Sequence, residues 1–233
     1  MVHQRIVAAN AAAMARLAAE WLADEVRLAV TLRGTCALGL AGGSTPRPAY
    51  ELLAAAPLKD GIAWDRVLIY FGDERAVPPD HPESNFGMAR EALIARAAIP
   101  EANVHRMEAD ASDLEEAADR YAALLPPALD VLVLGVGPDG HTASLFPGSP
   151  ALGERTRRVV PARAPKPPER RLTITPPVIA AARRIVVLAA GEDKAEAVVR
   201  ALRSAGPSEE IPARLARDGV WFLDAAAAGR LDD

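Results

Sequence analysis

The stretch GVGPDGHTASLFPG, residues 135–148, joins a histidine, a side chain able to serve as acid or base, to glycines that let the backbone approach a ligand. Gly135, Gly137 and Gly140 spell G-x-G-x-x-G after an apolar run, which is the pattern of a dinucleotide-binding turn. Gly135 to Thr142 also reads G-x-x-x-x-G-H-T, one residue away from a triphosphate loop. Neither nucleotide pattern is complete. A dinucleotide turn opens a long helix and needs an acid at the end of a second strand about twenty positions on. Pro147 and Gly148 stop any helix here early, and no such strand follows. In the triphosphate loop a lysine supplies a fixed positive charge, which His141 does not. What remains is His141 in the first turn of a short helix after Gly140, flanked by Asp139 and Thr142, as a neutral general base.

Four further segments carry residues of matching chemistry. AGGSTPRPAY (41–50) offers a tight turn at Gly42 and Gly43, an N-cap at Ser44 or Thr45 and Pro46 as first helical residue, which leaves backbone N–H groups for a phosphate. FGDERAVPPDHPESNFG (71–87) sets Asp73, Glu74 and Arg75 at a strand end, with His81 reading as a surface turn residue. RLTITPP (171–177) and AGEDKAE (190–196) add Arg171 and Lys194, which with Arg75 make a basic cluster sized for one phosphate. No G-x-S-x-G or H-E-x-x-H is present. His3, His81, His105 and His141 lack metal-ligand spacing, and Cys36 is the only cysteine, so neither a metal site nor an internal disulfide is expected.

These segments must be held by the elements between them. Short apolar runs at Arg5–Ala8, Cys36–Leu40, Val67–Phe71, Val104–Met107, Asp130–Leu134, Arg158–Val160, Arg171–Thr175, Ile185–Ala189 and Trp221–Leu223 read as strands. Apolar residues three and four apart predict helices at Ala11–Leu32, Pro46–Ala54, Asn85–Ala97, Asp113–Leu124, Pro176–Ala181 and Asp193–Ser204. The alternation predicts an α/β fold: an open, mostly parallel, doubly wound sheet with helices on both faces, Rossmann-like but modified. In such a sheet ligands gather at the carboxyl ends of strands, where all five polar segments fall. The Pro-rich run ARAPKPPERR (162–171) reads as an exposed loop, because strand-like residues resume after it.

With 50% hydrophobic and 25% charged residues, the 233-residue chain has ordinary globular composition and reads as one domain, 1–233. A net charge of −4 without a long single-sign block gives no sign of a nucleic-acid groove or membrane-binding face. Arg16, Glu20 and Asp24 interrupt the Ala-rich start, so no signal core forms, and a cytoplasmic setting fits the lone cysteine. Nothing in the pattern speaks to oligomeric state.

LAGGSTPRPAYELL, FGDERAVPPDHPESNFGMA, DVLVLGVGPDGHTASLFPG, RLTITPPVI and GEDKA together, in this order, resemble the motif set of the 6-phosphogluconolactonase family, within the superfamily that includes glucosamine-6-phosphate isomerase/deaminase. The resemblance runs from about residue 38 to residue 196. It implies hydrolysis of 6-phospho-D-glucono-1,5-lactone in the oxidative pentose phosphate pathway, without metal or organic cofactor. It further implies His141 as general base and Asp73 and Arg75 as catalytic groups ordering the sugar and offsetting oxyanion charge. The 6-phosphate falls to Gly43, Ser44, Thr45, Arg171 and Lys194, with Arg158 a secondary candidate. The isomerase/deaminase branch instead resembles D-E-Y and carries a Glu downstream of the histidine. This chain has Arg75 and no such Glu in HTASLFPG. A non-catalytic sugar-phosphate sensor would add a DNA-binding helix-turn-helix, for which the region before Cys36 is too short.

Overall fold

The structure, a computed structural model, describes residues 4–203 and 205–231. Its main sheet has six parallel strands in the order β1-β9-β8-β5-β2-β3: β1 (Arg5–Ala8), β9 (Val220–Asp224), β8 (Ile185–Ala189), β5 (Val131–Gly135), β2 (Cys36–Leu40) and β3 (Val67–Phe71). Central strands that are covered on both faces need apolar residues throughout, and every residue of β2 and β9 is buried. The open parallel sheet expected from the alternation is therefore present. From β2 the chain proceeds outward to β3 on one side, and from β5 to β8 and β9 on the other. This reversal opens a crevice beyond the carboxyl ends of β2 and β5.

Helix α1 (Ala11–Arg33) lies across this sheet and buries Met14, Ala15, Ala18, Ala19, Leu22, Ala23, Val26 and Ala29. These recur at three- and four-residue spacing, and the small alanines let the helix sit close. Asn10 caps its start, accepting the Ala13 N–H at 2.9 Å, and Gly34 ends it in a left-handed conformation that favours glycine. No helix among the described residues is long and apolar enough to cross a membrane.

A second sheet departs from expectation. It is antiparallel and has three strands, β4 (Asp73–Arg75), β7 (Arg170–Ile174) and β6 (Val159–Arg163). Only the middle of the Pro-rich run, residues 164–169, is the loop between β6 and β7, its two ends being paired in those strands; six residues are too few for a parallel crossover, so the two strands must form a hairpin. The expected strand Val104–Met107 reduces to a single bridge between Val104 and Ile69. His105 N–H donates to Ile69 O, but the next edge groups of β3, the N–H and C=O of Phe71, are both bonded to the Tyr121 hydroxyl, at 2.7 and 3.2 Å. A side chain has taken the place of the strand.

The remaining helices are α2 (Arg47–Leu53), α3 (Asn85–Ala89), α4 (Leu114–Leu124), α5 (Pro176–Ala181), α6 (Ala195–Leu202) and α7 (Ala225–Ala228). The expected helix Asn85–Ala97 is α3 followed by a wider π-helical turn, Arg90–Ile94. The helix expected over Asp193–Ser204 begins at Ala195 after a 3₁₀ turn at Glu192–Lys194; Ser204 lies outside the described residues.

Candidate active site

The crevice at the sheet's reversal is a cleft of about 230 Å³. His141, Asp73, Arg75, Gly43, Ser44, Thr45, Arg171 and Lys194 all line it. Arg158 does not. Its guanidinium donates to the carbonyls of Ala122, Leu125 and Pro126, satisfying oxygens at the C-terminus of α4. The positive end of that side chain meets a helix's negative pole, which corrects its assignment to the phosphate.

The turn after β2 is pinned by Tyr50, whose hydroxyl accepts the Ala41 N–H at 3.0 Å and donates to Ala41 O at 3.1 Å. Neither Ser44 nor Thr45 caps the following helix: Pro46 occupies the N-cap and no side chain bonds there. The hydroxyls expected to cap are thus left to the cleft. Gly42 is required by close approach, since a Cβ at this position would meet Asn85 Oδ1 at 1.7 Å.

Strand pleating sorts the D-E-R triplet. In β4, alternate residues face opposite ways, so Asp73 and Arg75 turn to the cleft while Glu74 turns inward. Glu74 is 3% exposed. Its carboxylate accepts the N–H groups of Arg75, Asn85 and Phe86, each at 2.8 Å, and the Ser84 hydroxyl at 3.2 Å. Burial pushes this carboxyl above its ordinary value, and the three backbone N–H groups pull back only part of the way. Glu74 therefore holds the start of α3 rather than substrate. Glu74→Ala should lower unfolding free energy by about 3 kcal/mol or more, because several buried donors lose one acceptor. A urea midpoint equal to the parent's would show that α3 is anchored elsewhere.

The register of β4 on β7 places Arg75 directly opposite Arg171. Like charges opposed across strands destabilise a sheet unless an anion joins them. Arg75 donates to Glu83 O at 2.5 Å and Arg171 to Pro168 O at 2.7 Å, and among the described residues neither has a carboxylate within ion-pair distance. Burial, followed by the Arg75 charge, pushes the Arg171 guanidinium below its ordinary value. Lys194 arrives from the loop after β8. It pairs with Asp193 at 2.7 Å, and Asp224 anchors this loop by accepting the Gly191 N–H at 3.1 Å.

His141 is not on a helix. Gly140 and Ala143 both adopt left-handed conformations, at φ 84° and 49°, which a right-handed helix cannot contain. The helix end expected beneath it is absent, and the partner of the ring is the Asp139 carboxylate. The imidazole Nδ1 lies 2.5 Å from Asp139 Oδ1, and the same oxygen accepts the His141 N–H at 3.1 Å. Burial acts to raise the Asp139 carboxyl, but its bonds to His141 outweigh burial and leave it below its usual range. With Nδ1 engaged, Nε2 is the ring nitrogen left for the cleft. Phe146 packs on the ring, with centroids 4.7 Å apart.

A wider hollow of about 460 Å³ opens beside the cleft. There His81 is exposed, its Nδ1 accepting the Glu83 N–H at 3.1 Å, as fits a turn residue. Two residues outside the expected site, Asn85 on the cleft wall and Ser144 behind it, are both buried and both bond to Asp73. Only their places inside the recognised motifs marked them out beforehand.

Residues 9–222 match the family described as glucosamine-6-phosphate isomerases/6-phosphogluconolactonase. The chain is 40% identical to a 6-phosphogluconolactonase of Streptomyces coelicolor, over 98% of its own length and 94% of the relative's. It is 42% identical to one of Homo sapiens over 84% and 81% of the two chains. The crystal structure of 6-phosphogluconolactonase from Leishmania guyanensis superposes with a TM-score of 0.88 at 28% identity, covering 99% of each chain.

Proposed function

The chain belongs to the glucosamine-6-phosphate isomerase/6-phosphogluconolactonase family, and we propose that its cleft carries out the lactonase reaction with His141 as general base. It is an enzyme, a carboxylic ester hydrolase of the pentose phosphate pathway that converts 6-phospho-D-glucono-1,5-lactone to 6-phospho-D-gluconate. The observation that carries the mechanism is the Asp139–His141 pair. A carboxylate on Nδ1 sets the tautomer that leaves Nε2 able to accept a proton. Nε2 takes a proton from water as the water attacks the C1 carbonyl, and the ring then returns a proton to the departing ring oxygen. Asp139, held ionised, stabilises the imidazolium in between. Arg75 orders the sugar and offsets charge on the developing oxyanion.

At the other end, Arg171, Lys194 and the turn Gly43–Ser44–Thr45 hold the 6-phosphate; the Arg171 guanidinium, which has no carboxylate partner among the described residues, and the cleft-lining hydroxyls support that placement. No metal or organic cofactor takes part in these steps. We place the enzyme in the cytoplasm, its chain a single domain acting on a small sugar-phosphate lactone. Its single thiol, Cys36, is buried and pushed up to about 12 by that burial, so it is chemically inert.

Arg171→Ala and Lys194→Ala should each raise KM about tenfold or more with kcat largely kept, because a charge-assisted bond to phosphate is lost far from C1. Unchanged KM in both variants would move the phosphate elsewhere. The reaction itself is tested by assaying 6-phosphogluconolactone hydrolysis and glucosamine-6-phosphate deamination on one preparation. Hydrolysis above the spontaneous rate, without ammonia release, is the expected result. Deamination alone would assign the isomerase/deaminase chemistry, and binding without turnover a sensor.

A further inference from the structure

Asp73 faces the cleft, yet its carboxylate is already occupied. Ser144 Oγ donates to Oδ2 at 2.5 Å. Asn85 Nδ2 donates to Oδ1 at 3.1 Å and to the Asp73 main-chain oxygen at 2.8 Å. Asp73 is 7% exposed, Asn85 2% and Ser144 0%. The Ser144 N–H in turn donates to Thr173 Oγ1 at 3.2 Å, on the β7 residue that pairs with Asp73. The loop carrying His141 is thus fastened at both ends of one residue, Ser144, to the small sheet that carries Arg75 and Arg171.

The fastening acts on a strained segment. Ala143, between His141 and Ser144, holds φ 49°, a conformation that a residue with a Cβ keeps only when its neighbours over-determine it. On the other side of Ala143, the Thr142 hydroxyl donates to Gly135 O at 2.9 Å. One clamp ties the loop to β5, and the other ties it to β4.

We infer that Asp73 is a positioning residue rather than a proton-transfer group, and that the Ser144–Asp73 bond sets the distance between the His141 base and the Arg75 guanidinium. His141 and Arg75 come from different sheets, so nothing along the chain fixes their separation. Displacement of a catalytic group by about 1 Å is enough to lose on the order of a hundredfold in rate. This role rests on the lactonase assignment of the cleft.

The test is the steady-state kinetics of Ser144→Ala, Asp73→Asn and the double variant against the parent, with melting curves and pH–rate profiles. Ser144→Ala should lose about 10- to 100-fold in kcat with KM within about twofold, since the phosphate grip is untouched. Asp73→Asn should fall comparably while keeping the parent's pH limbs. The double variant should be no worse than the poorer single one, because Asp73 acts on the histidine loop through the Ser144 hydroxyl, which Ser144→Ala already removes. Ser144→Cys keeps the size with a weaker donor and should fall between parent and alanine. It carries the same test if Ser144→Ala melts at the assay temperature. Three results would each overturn the inference: kcat within twofold in the folded Ser144 variants, losses that multiply in the double variant, or a pH limb lost in Asp73→Asn. A parent without lactone turnover would instead overturn the assignment of function, and this role with it.

Discussion

His141→Ala is expected to lower kcat for lactone hydrolysis by about 10²- to 10⁴-fold, the contribution of a positioned general base. The imidazole is the cleft group whose partner, Asp139, holds it with one nitrogen engaged and one free. Alanine removes the base and leaves the arginines, so the variant should still bind substrate and be inhibited by inorganic phosphate at the parent's concentrations. Stability should change little. The side chain of His141 is 31% exposed and its ring touches Phe146 at the surface, so loss of about 1 kcal/mol, or about 4 °C in melting temperature, is the upper expectation. The lactone hydrolyses spontaneously, and turnover must be measured above that background. Undiminished turnover in a folded His141→Ala protein would remove the histidine from the mechanism.

Gly137→Ala should do nearly as much damage without touching any group that reacts. A Cβ at this position would lie 2.1 Å from both Cε1 and Nδ1 of His141 and 2.8 Å from Asp139 Oδ1. Gly137 is not among the glycines at positive φ, so alanine meets no backbone penalty there, and the conflict falls wholly on the histidine–aspartate pair. The ring must swing away and the 2.5 Å bond must break. A fall in kcat of about a hundredfold is expected, with KM and the melting curve close to the parent's. A variant with kcat within threefold of the parent would show that the ring has another productive position.

That steric relation also explains the G-x-G-x-x-G pattern. Its middle glycine makes room for the His141 ring, its last takes a left-handed turn at φ 84°, and a Cβ on its first would meet nothing within 4 Å. The same residues that let a backbone approach a pyrophosphate here let it approach an imidazole.

Much of the molecule was legible beforehand because it depends on local rules. Strands β1, β2, β3 and β8 begin and end at the expected residues, since an apolar run between polar turns can be buried in only one way. Strand-end placement of the glycine turns, the D-E-R triplet, the histidine loop and Lys194 followed from the βα alternation and was enough to bring them to one cleft. Where expectation failed, a distant partner had intervened. Tyr121 ended the pairing of residues 104–107 by occupying Phe71, and the α4 carbonyls claimed Arg158. The left-handed turn at Ala143, held by bonds to Gly135 and Asp73, replaced the expected helix under His141.

The sequence by itself determined which residue types stand at the ends of which strands, because hydrophobic period and turn chemistry act over a few neighbouring residues. Only the tertiary structure decided what each does: Glu74 inward and Arg75 outward, Arg75 against Arg171, Asp139 rather than a helix beneath His141, and Ser144 bolted to Asp73 across 71 positions. Those choices depend on register between two sheets and on hydrogen bonds between remote segments, which no local pattern encodes.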